Sequence, residues 1–163
     1  MKTWRWLTIM LAALCMGTTW AHLLEMPAKI RLDGATWLML LQTIYPPAFG
    51  TVGAFFEIAA PIAAAVLAFL VRAQPAFRWT LFGALCLIAA DAAFWIWVAP
   101  VNATLVPLTA DTLPPDWAAL RDQWEYTHAA RALLQLAGLG FLVFSVVSEK
   151  SRRPVDFAGA RSS

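Results

Sequence analysis

The most informative shortage in this 163-residue sequence is charge. Asp, Glu, Lys and Arg together make up 13% of the residues, whereas 61% are hydrophobic. A water-soluble domain averages about a quarter charged residues, so the composition indicates a protein that lies in a lipid bilayer. The net charge of +2 comes without a basic stripe or zinc-finger spacing, which argues against nucleic acid as a partner.

Cysteine is equally scarce. Cys15 and Cys86 each lie within an apolar run, and neither belongs to a CxxC pair or to a metal-binding spacing. We expect both to be small buried hydrophobic residues, and the pattern gives no support for a disulfide. Tryptophan is abundant instead. Nine tryptophans are typical of a protein with two membrane–water interfaces, where indole rings collect.

Four apolar stretches are long enough to cross a bilayer, which requires about 20 mostly apolar residues. They run from residue 6 to about 24, from 49 to 71, from 77 to 99, and from about 129 to 147. The sequence therefore predicts an all-α fold, a single four-helix transmembrane domain formed by residues 1–148. Between the first two spans, residues 37–44 are too few to cross and predict a short interfacial helix ended by Pro46 and Pro47.

The placement of Lys and Arg predicts the orientation. With the N-terminus inside the cell, the outer side carries only Lys29, Arg31, Arg121 and Arg131 of the twelve basic residues. This bias predicts a bacterial inner-membrane protein with both termini in the cytoplasm, ending in a disordered tail at 149–163. The first span also has the layout of a signal peptide, but its apolar run is long for one, which favours a retained helix.

Seven ionisable side chains lie within the spans or at their outer ends. A charged residue at the centre of a spanning helix costs about 2.5–3.5 kcal/mol, so such residues usually face the bundle interior and mark function. A helical rise of about 1.5 Å per residue places all of them in the outer half of the bilayer. The sequence therefore predicts one shared polar pocket, open toward the outer face. Its predicted residues are His22, Glu25, Glu57, Asp91, Glu125, His128 and Arg131.

Two interpretations of this cluster stay open. Di-iron bundles use a Glu-x-x-His pair on two helices and a single Glu on the other two. On that pattern the candidate metal ligands are His22, Glu25, Glu57, Asp91, Glu125 and His128. Without a metal, the carboxylates could pair with Arg131 and the histidines, and Glu25 and Glu125 could equally be solvated at the interface. The cofactor is therefore either none or a pair of metal ions.

Three segments resemble a known family. "AHLLEMPAKIRLDGATWLMLLQTIYPPAFGTVGAFFE", "APVN" and "LPPDWAALRDQWEYTHAAR" resemble the small four-span membrane proteins that are grouped with the fungal anthrone oxygenases under a domain of unknown function. The resemblance extends from the first span to Val147 and looks closest to bacterial members without an assigned activity. Its most specific residues are Pro100, Asn102, Trp124, His128 and Arg131.

The resemblance implies a chemistry. Anthrone oxygenases use O₂ to convert an anthrone into an anthraquinone, and they are thought to need no metal or organic cofactor. In this chain, His128 or Glu57 could then be the general base that removes an acidic C–H proton. Arg131 and Asn102 could stabilise the resulting enolate oxygen.

The sequence thus favours a membrane oxygenase or oxidoreductase that acts on a lipophilic phenolic or quinone-like molecule. The alternative is a non-enzymatic binding, carrier or accessory protein whose polar cluster is structural. The inner half of the spans has no carboxylate, which argues against an ion channel. The sequence predicts neither the identity of the substrate nor the oligomeric state.

Overall fold

The computed structural model of the chain describes residues 1–150, apart from the side chains of Pro47, Glu149 and Lys150. The tail predicted for residues 149–163 lies almost entirely outside this range. In the described part, every regular element is helical. The α-helices are α1 (Lys2–Lys29), α2 (Gly34–Thr43), α3 (Ala54–Leu70), α4 (Phe77–Ala93), α5 (Ala99–Leu105) and α6 (Trp117–Lys150). A π-helical segment, Tyr45–Gly53, precedes α3, a second one, Phe94–Val98, joins α4 to α5, and Ala110–Thr112 form a 3₁₀ turn.

The prediction of an all-α four-helix bundle is confirmed. Four helices are long and apolar enough to cross a membrane: Lys2–Lys29, Ala48–Leu70, Phe77–Leu105 and Trp117–Ser148. The first, third and fourth are longer than predicted. The third continues through Pro100 because this proline lies in the first turn of α5, where a missing N–H leaves no helical bond unmade.

The short helix between the first two spans is also confirmed, as α2. Its N-terminus is capped by Asp33, whose carboxylate accepts a hydrogen bond from the Thr36 N–H at 3.0 Å. This hydrogen bond lowers the pKa of the Asp33 carboxyl below its ordinary value. Within α2, Trp37 and Leu41 are buried and pack with Trp124 and with Val101 and Leu105 of α5. Because of this packing, α2 lies across one end of the bundle.

The other end of the bundle is held together by small residues. Its core contains Ala12, Cys15, Ala60, Ala64, Leu67, Val71, Ala84, Leu87 and Leu142. Alanines at these positions let the helix backbones approach closely. Both cysteines are free, with Cys15 buried as predicted and Cys86 only half-buried.

The closest helix crossing in this region yields a testable prediction. A Cβ atom on Gly83 of α4 would lie 2.8 Å from Leu142 Cγ and 3.0 Å from the Gly138 carbonyl oxygen, both on α6. We expect Gly83→Ala to lower the free energy of unfolding by about 1–3 kcal/mol, because α4 and α6 must move apart. Reversible unfolding in mixed micelles, followed by circular dichroism, measures this loss.

Gly140→Ala is the matched control on the same helix pair. A Cβ atom there meets no described atom within 4 Å outside the backbone of its own helix. Because alanine is the better helix former, this variant should be neutral or more stable by about 0.5–1 kcal/mol. Equal losses in the two variants would show that the crossing does not limit stability.

Candidate functional site

Five of the seven predicted ionisable residues line one cavity of about 450 Å³. The cavity lies toward the α2 end of the bundle, and α1, α3, α4 and α6 each supply at least one of the five. Much of the remaining wall is aromatic, and Asn102 also contributes. The five ionisable residues are His22, Glu57, Asp91, His128 and Arg131, and the aromatic residues are Tyr45, Phe49, Phe94, Trp95 and Trp124.

Arg131 is the fixed centre of this cavity. Its side chain is fully buried and donates three hydrogen bonds, one to each of three helices. Nε donates to the Ala90 carbonyl oxygen at 2.9 Å, Nη1 contacts His128 Nδ1 at 3.0 Å, and Nη2 donates to Glu57 Oε2. The guanidinium also lies over the ring of Phe94, 4.9 Å from its centroid. Charge-assisted bonds of this kind fix both position and orientation.

The contact with Arg131 determines the tautomer of His128. A guanidinium has donors but no acceptor, so His128 Nδ1 must accept this hydrogen bond. The ring proton of neutral His128 therefore lies on Nε2, which can only donate. Since the Nδ1 lone pair is already engaged, this arrangement favours Glu57 over His128 as the general base.

His22 lies in the cavity wall, as the sequence predicted for the shared pocket. It is buried and stacks on His128 with a centroid distance of 4.3 Å, a contact that the sequence did not predict. The rings of Tyr45 and Phe49 also contact the His22 ring, each with a centroid distance of 4.7 Å. Among the described residues, His22 Nδ1 has no hydrogen-bond partner. An unpaired buried polar atom costs about 1–3 kcal/mol, so this nitrogen lowers the stability of the fold unless a hydrogen-bond partner reaches it.

Asn102 and Trp124 form a second polar position. The Trp124 indole N–H donates to Asn102 Oδ1 at 2.9 Å. This bond occupies the amide oxygen and leaves the NH₂ group as a donor. Because Asn102 lines the cavity, it can offer a hydrogen bond to an oxygen atom bound there.

Glu25 and Glu125 do not line the cavity and instead contact Lys29. Lys29 Nζ is 3.0 Å from Glu125 Oε2 and 3.6 Å from Glu25 Oε2. Trp37 Nε1 donates to Glu125 Oε1 at 2.9 Å, and the Tyr45 hydroxyl donates to Glu25 Oε2 at 2.9 Å. Burial, together with the Glu25 carboxylate, raises the pKa of the Tyr45 phenol above its ordinary value, so the phenol stays a donor. Glu25 is partly solvated, as one interpretation expected, whereas Glu125 is buried.

The six candidate metal ligands are therefore not gathered into one site. Within residues 1–150, no group of three or more His, Cys, Asp or Glu side chains could hold a metal ion. Two of the carboxylates bind Lys29, and His128 Nδ1 binds Arg131. The two-metal hypothesis gains no support from this arrangement. The alternative of ion pairs describes the Arg131–Glu57 contact, whereas Glu125 pairs with Lys29, a partner that this interpretation did not name. The candidate ligands were His22, Glu25, Glu57, Asp91, Glu125 and His128.

The sequence predicted a pocket that opens toward the outer face, the face on which the short helix α2 was expected to lie. α2 and the buried side chains of Trp37, Leu41 and Trp124 lie across that end of the bundle. The exposed residues of the cavity wall lie on its side instead, and Ile58 and Trp95 are among them. The polar groups thus lie beneath a closed apolar layer.

Glu57, which was predicted as the base, lines the same cavity as Arg131 and Asn102, which were predicted to stabilise the enolate. Comparison of the chain with protein-family models, with curated proteins and with solved structures gave no match.

Proposed function

We propose that the protein is a multi-pass inner-membrane enzyme of the anthrone oxygenase type, which oxygenates a lipophilic phenolic or quinone-like molecule. The observation that carries this proposal is the composition of the cavity wall. A carboxylate–guanidinium pair and His22, whose Nδ1 has no hydrogen-bond partner among the described residues, line a space of about 450 Å³ with aromatic sides. Ligand pockets have volumes of about 300–1,000 Å³ and few, convergent polar groups, and aromatic walls suit a planar ring system.

Glu57 is the base in this mechanism. Its Oε2 is held by Arg131, and within the described residues Oε1 makes no hydrogen bond. Oε1 removes a proton from the acidic CH₂ group of the substrate, and the electron pair moves onto the conjugated carbonyl oxygen, giving an enolate. The Asn102 amide and the remaining N–H groups of Arg131 stabilise that oxygen.

The oxidant is O₂. The carbanion carbon of the enolate adds O₂, and the peroxide takes up the proton to become a hydroperoxide. Loss of water then leaves a carbonyl group, so that the CH₂ group and O₂ become C=O and H₂O. His22 Nδ1 and the Nε2–H of His128 hold the oxygen atoms of the substrate in place.

A binding or carrier function is the second candidate, because the buried charges already satisfy one another. Arg131 is paired with Glu57, and Lys29 is paired with Glu125. Ion pairs of this kind can fix helix register without taking part in a reaction. In this case His22 and Asn102 would still bind the ligand, but Glu57 would not transfer a proton.

Oxygen uptake with anthrone as the probe distinguishes the two functions. For the purified protein in nanodiscs, we expect Glu57→Gln to lower the rate of O₂ uptake by about 10²-fold or more. A glutamine oxygen still accepts from Arg131 but leaves the buried guanidinium without a counter-charge, so circular dichroism must show that the variant is folded before its rate is compared. Glu25→Gln is the matched control, because Glu25 lies outside the cavity, and it should leave the rate unchanged.

Each outcome has a defined meaning. Quinone formation that depends on Glu57 supports the enzyme. Anthrone binding without O₂ uptake in the wild-type protein supports the binding function and refutes the oxygenase. Uptake that is equally fast in Glu57→Gln and in wild type would remove Glu57 from the mechanism.

A further inference from the structure

The exposed part of the cavity wall comes from two chain segments. Among the described residues that line the cavity, those with large exposed fractions are Pro46, Gly50 and Ile58 on one side, and Trp95 and Val106 on the other. The lining residues from α1, α2 and α6 are buried or half-buried. The cavity therefore opens between these two segments, on the side of the bundle.

The two rims have regular helical spacing. Residues 46, 50, 54 and 58 all line the cavity and are four residues apart, which places them on one helical face. The opposite rim contains Trp95, Asn102 and Val106. Each rim includes part of a π-helical segment, a geometry that is frequent at functional sites. Tyr45–Gly53 packs against α1, α2 and α3.

The mouth between these two rims is apolar, and it extends from the depth of the acyl chains to the membrane interface. Ile58 is 52% exposed, Trp95 61% and Val106 39%, and the five exposed rim residues carry no charge. A rise of about 1.5 Å per residue places Ile58 roughly 18 Å above Leu70 and Trp95 roughly 27 Å above Phe77. A hydrocarbon layer is about 30 Å thick, so the mouth faces its outer part and the adjoining interface.

Three buried side chains cover the cavity beneath α2. Trp37 is 1% exposed, Leu41 2% and Trp124 2%, and these side chains pack together over the cavity. Above them, Lys29 and Glu125 form their buried ion pair. A molecule that approached from the aqueous side would have to separate this packed layer.

We propose that the cavity is loaded sideways from the bilayer, by a planar lipophilic molecule that passes between Gly50 and Ile58 on one rim and Trp95 and Val106 on the other. The identity of that molecule rests on the proposed function, whereas the route rests on the rims alone. Gly50 keeps the mouth wide because it has no side chain. A Cβ atom there would meet only the Tyr45 carbonyl oxygen, at 3.7 Å, so a larger residue would fit the backbone and narrow the mouth.

Spin labels test the route without any ligand. In full-length protein with Cys15→Ala and Cys86→Ala, nitroxides are attached to Gly50→Cys, Gly140→Cys or Asp116→Cys in phosphatidylcholine nanodiscs. Gly140 is exposed within the fourth span, so a label there reports a lipid environment. Asp116 is exposed outside the spans, so a label there reports water. We expect the label at position 50 to match position 140, with higher accessibility to O₂ than to a water-soluble nickel chelate. A label at position 50 that matches position 116 would overturn the lateral route.

Binding kinetics test the mouth itself. With anthrone as the probe, Gly50→Leu should slow association and dissociation together, each by about tenfold, with little change in Kd. Gly140→Leu is the control and should bind at wild-type rates. Unchanged rates in Gly50→Leu would refute passage at this point. If the wild-type protein does not bind anthrone, the proposed function fails, while the spin labels still decide the route.

Discussion

Arg131→Met should lower the free energy of unfolding by about 3–5 kcal/mol, the range found when one partner of a buried ion pair is removed. The side chain of Arg131 is fully buried and that of Glu57 is 17% exposed. Methionine fills a similar volume but leaves the Glu57 carboxylate without a counter-charge. It also removes the donors to the Ala90 carbonyl oxygen and to His128 Nδ1.

The double variant Arg131→Met/Glu57→Gln separates the charge effect from the packing effect. Once the carboxylate is neutral, about 1–3 kcal/mol of the loss should be recovered, which is the usual range for residues in direct contact. Reversible unfolding in mixed micelles of dodecyl sulfate and a mild detergent gives the four free energies. If the double variant is as unstable as the sum of the two single variants, the two charges do not stabilise each other.

Lys29→Met should produce the second largest loss, about 3 kcal/mol. Glu125 is buried, and without the ammonium its Oε2 would have no partner among the described residues. The loss is smaller than for Arg131 because Trp37 Nε1 still donates to Oε1 at 2.9 Å. The emission maximum of the tryptophans should also shift, since Lys29 Nζ lies 4.7 Å from the centroid of the Trp124 ring.

Glu25→Gln is the matched control for Lys29→Met. Glu25 is 45% exposed and lies 3.6 Å from the same ammonium group, and a partly solvated pair of this kind contributes less than about 1 kcal/mol. The same unfolding measurement applies to Lys29→Met/Glu125→Gln, in which most of the loss should be recovered. A larger effect from Glu25→Gln than from Lys29→Met would mean that Glu25, and not Glu125, is the principal partner of Lys29.

The fold was largely predictable because the thickness of a bilayer sets the length of an apolar helix. Hydrophobic length alone identified the four spans and the short helix before Pro46. It did not identify the π-helical segments, Tyr45–Gly53 and Phe94–Val98. The i→i+5 pattern depends on how neighbouring helices pack, which a local sequence pattern does not contain. For the same reason the continuation through Pro100 was missed.

The site was predictable in part. The depth and helical face of Glu57, His128 and Arg131 predicted that they lie together in the bundle. In the structure, Arg131 contacts both Glu57 and His128. The sequence interpretation counted Lys29 as an ordinary basic residue at the end of a span. Its burial depends on the cover that α2 provides, and this cover follows from tertiary packing, not from spacing along α1. The sequence placed His22 in the pocket but did not predict that its Nδ1 has no hydrogen-bond partner among the described residues. An unpaired nitrogen can be recognised only when the positions of all neighbouring atoms are known.

Trp124 has a consequence of its own for the architecture of this end of the bundle. One face of its indole meets the ammonium of Lys29, and the same side chain packs on His128 at 4.2 Å and on His22 at 5.1 Å. The indole ring of Trp124 therefore separates the cavity from the Lys29–Glu125 ion pair. A substitution at position 124 that changes the shape of the cavity also changes the surroundings of the Lys29–Glu125 ion pair. This ion pair therefore constrains the evolution of new ligand preferences through position 124.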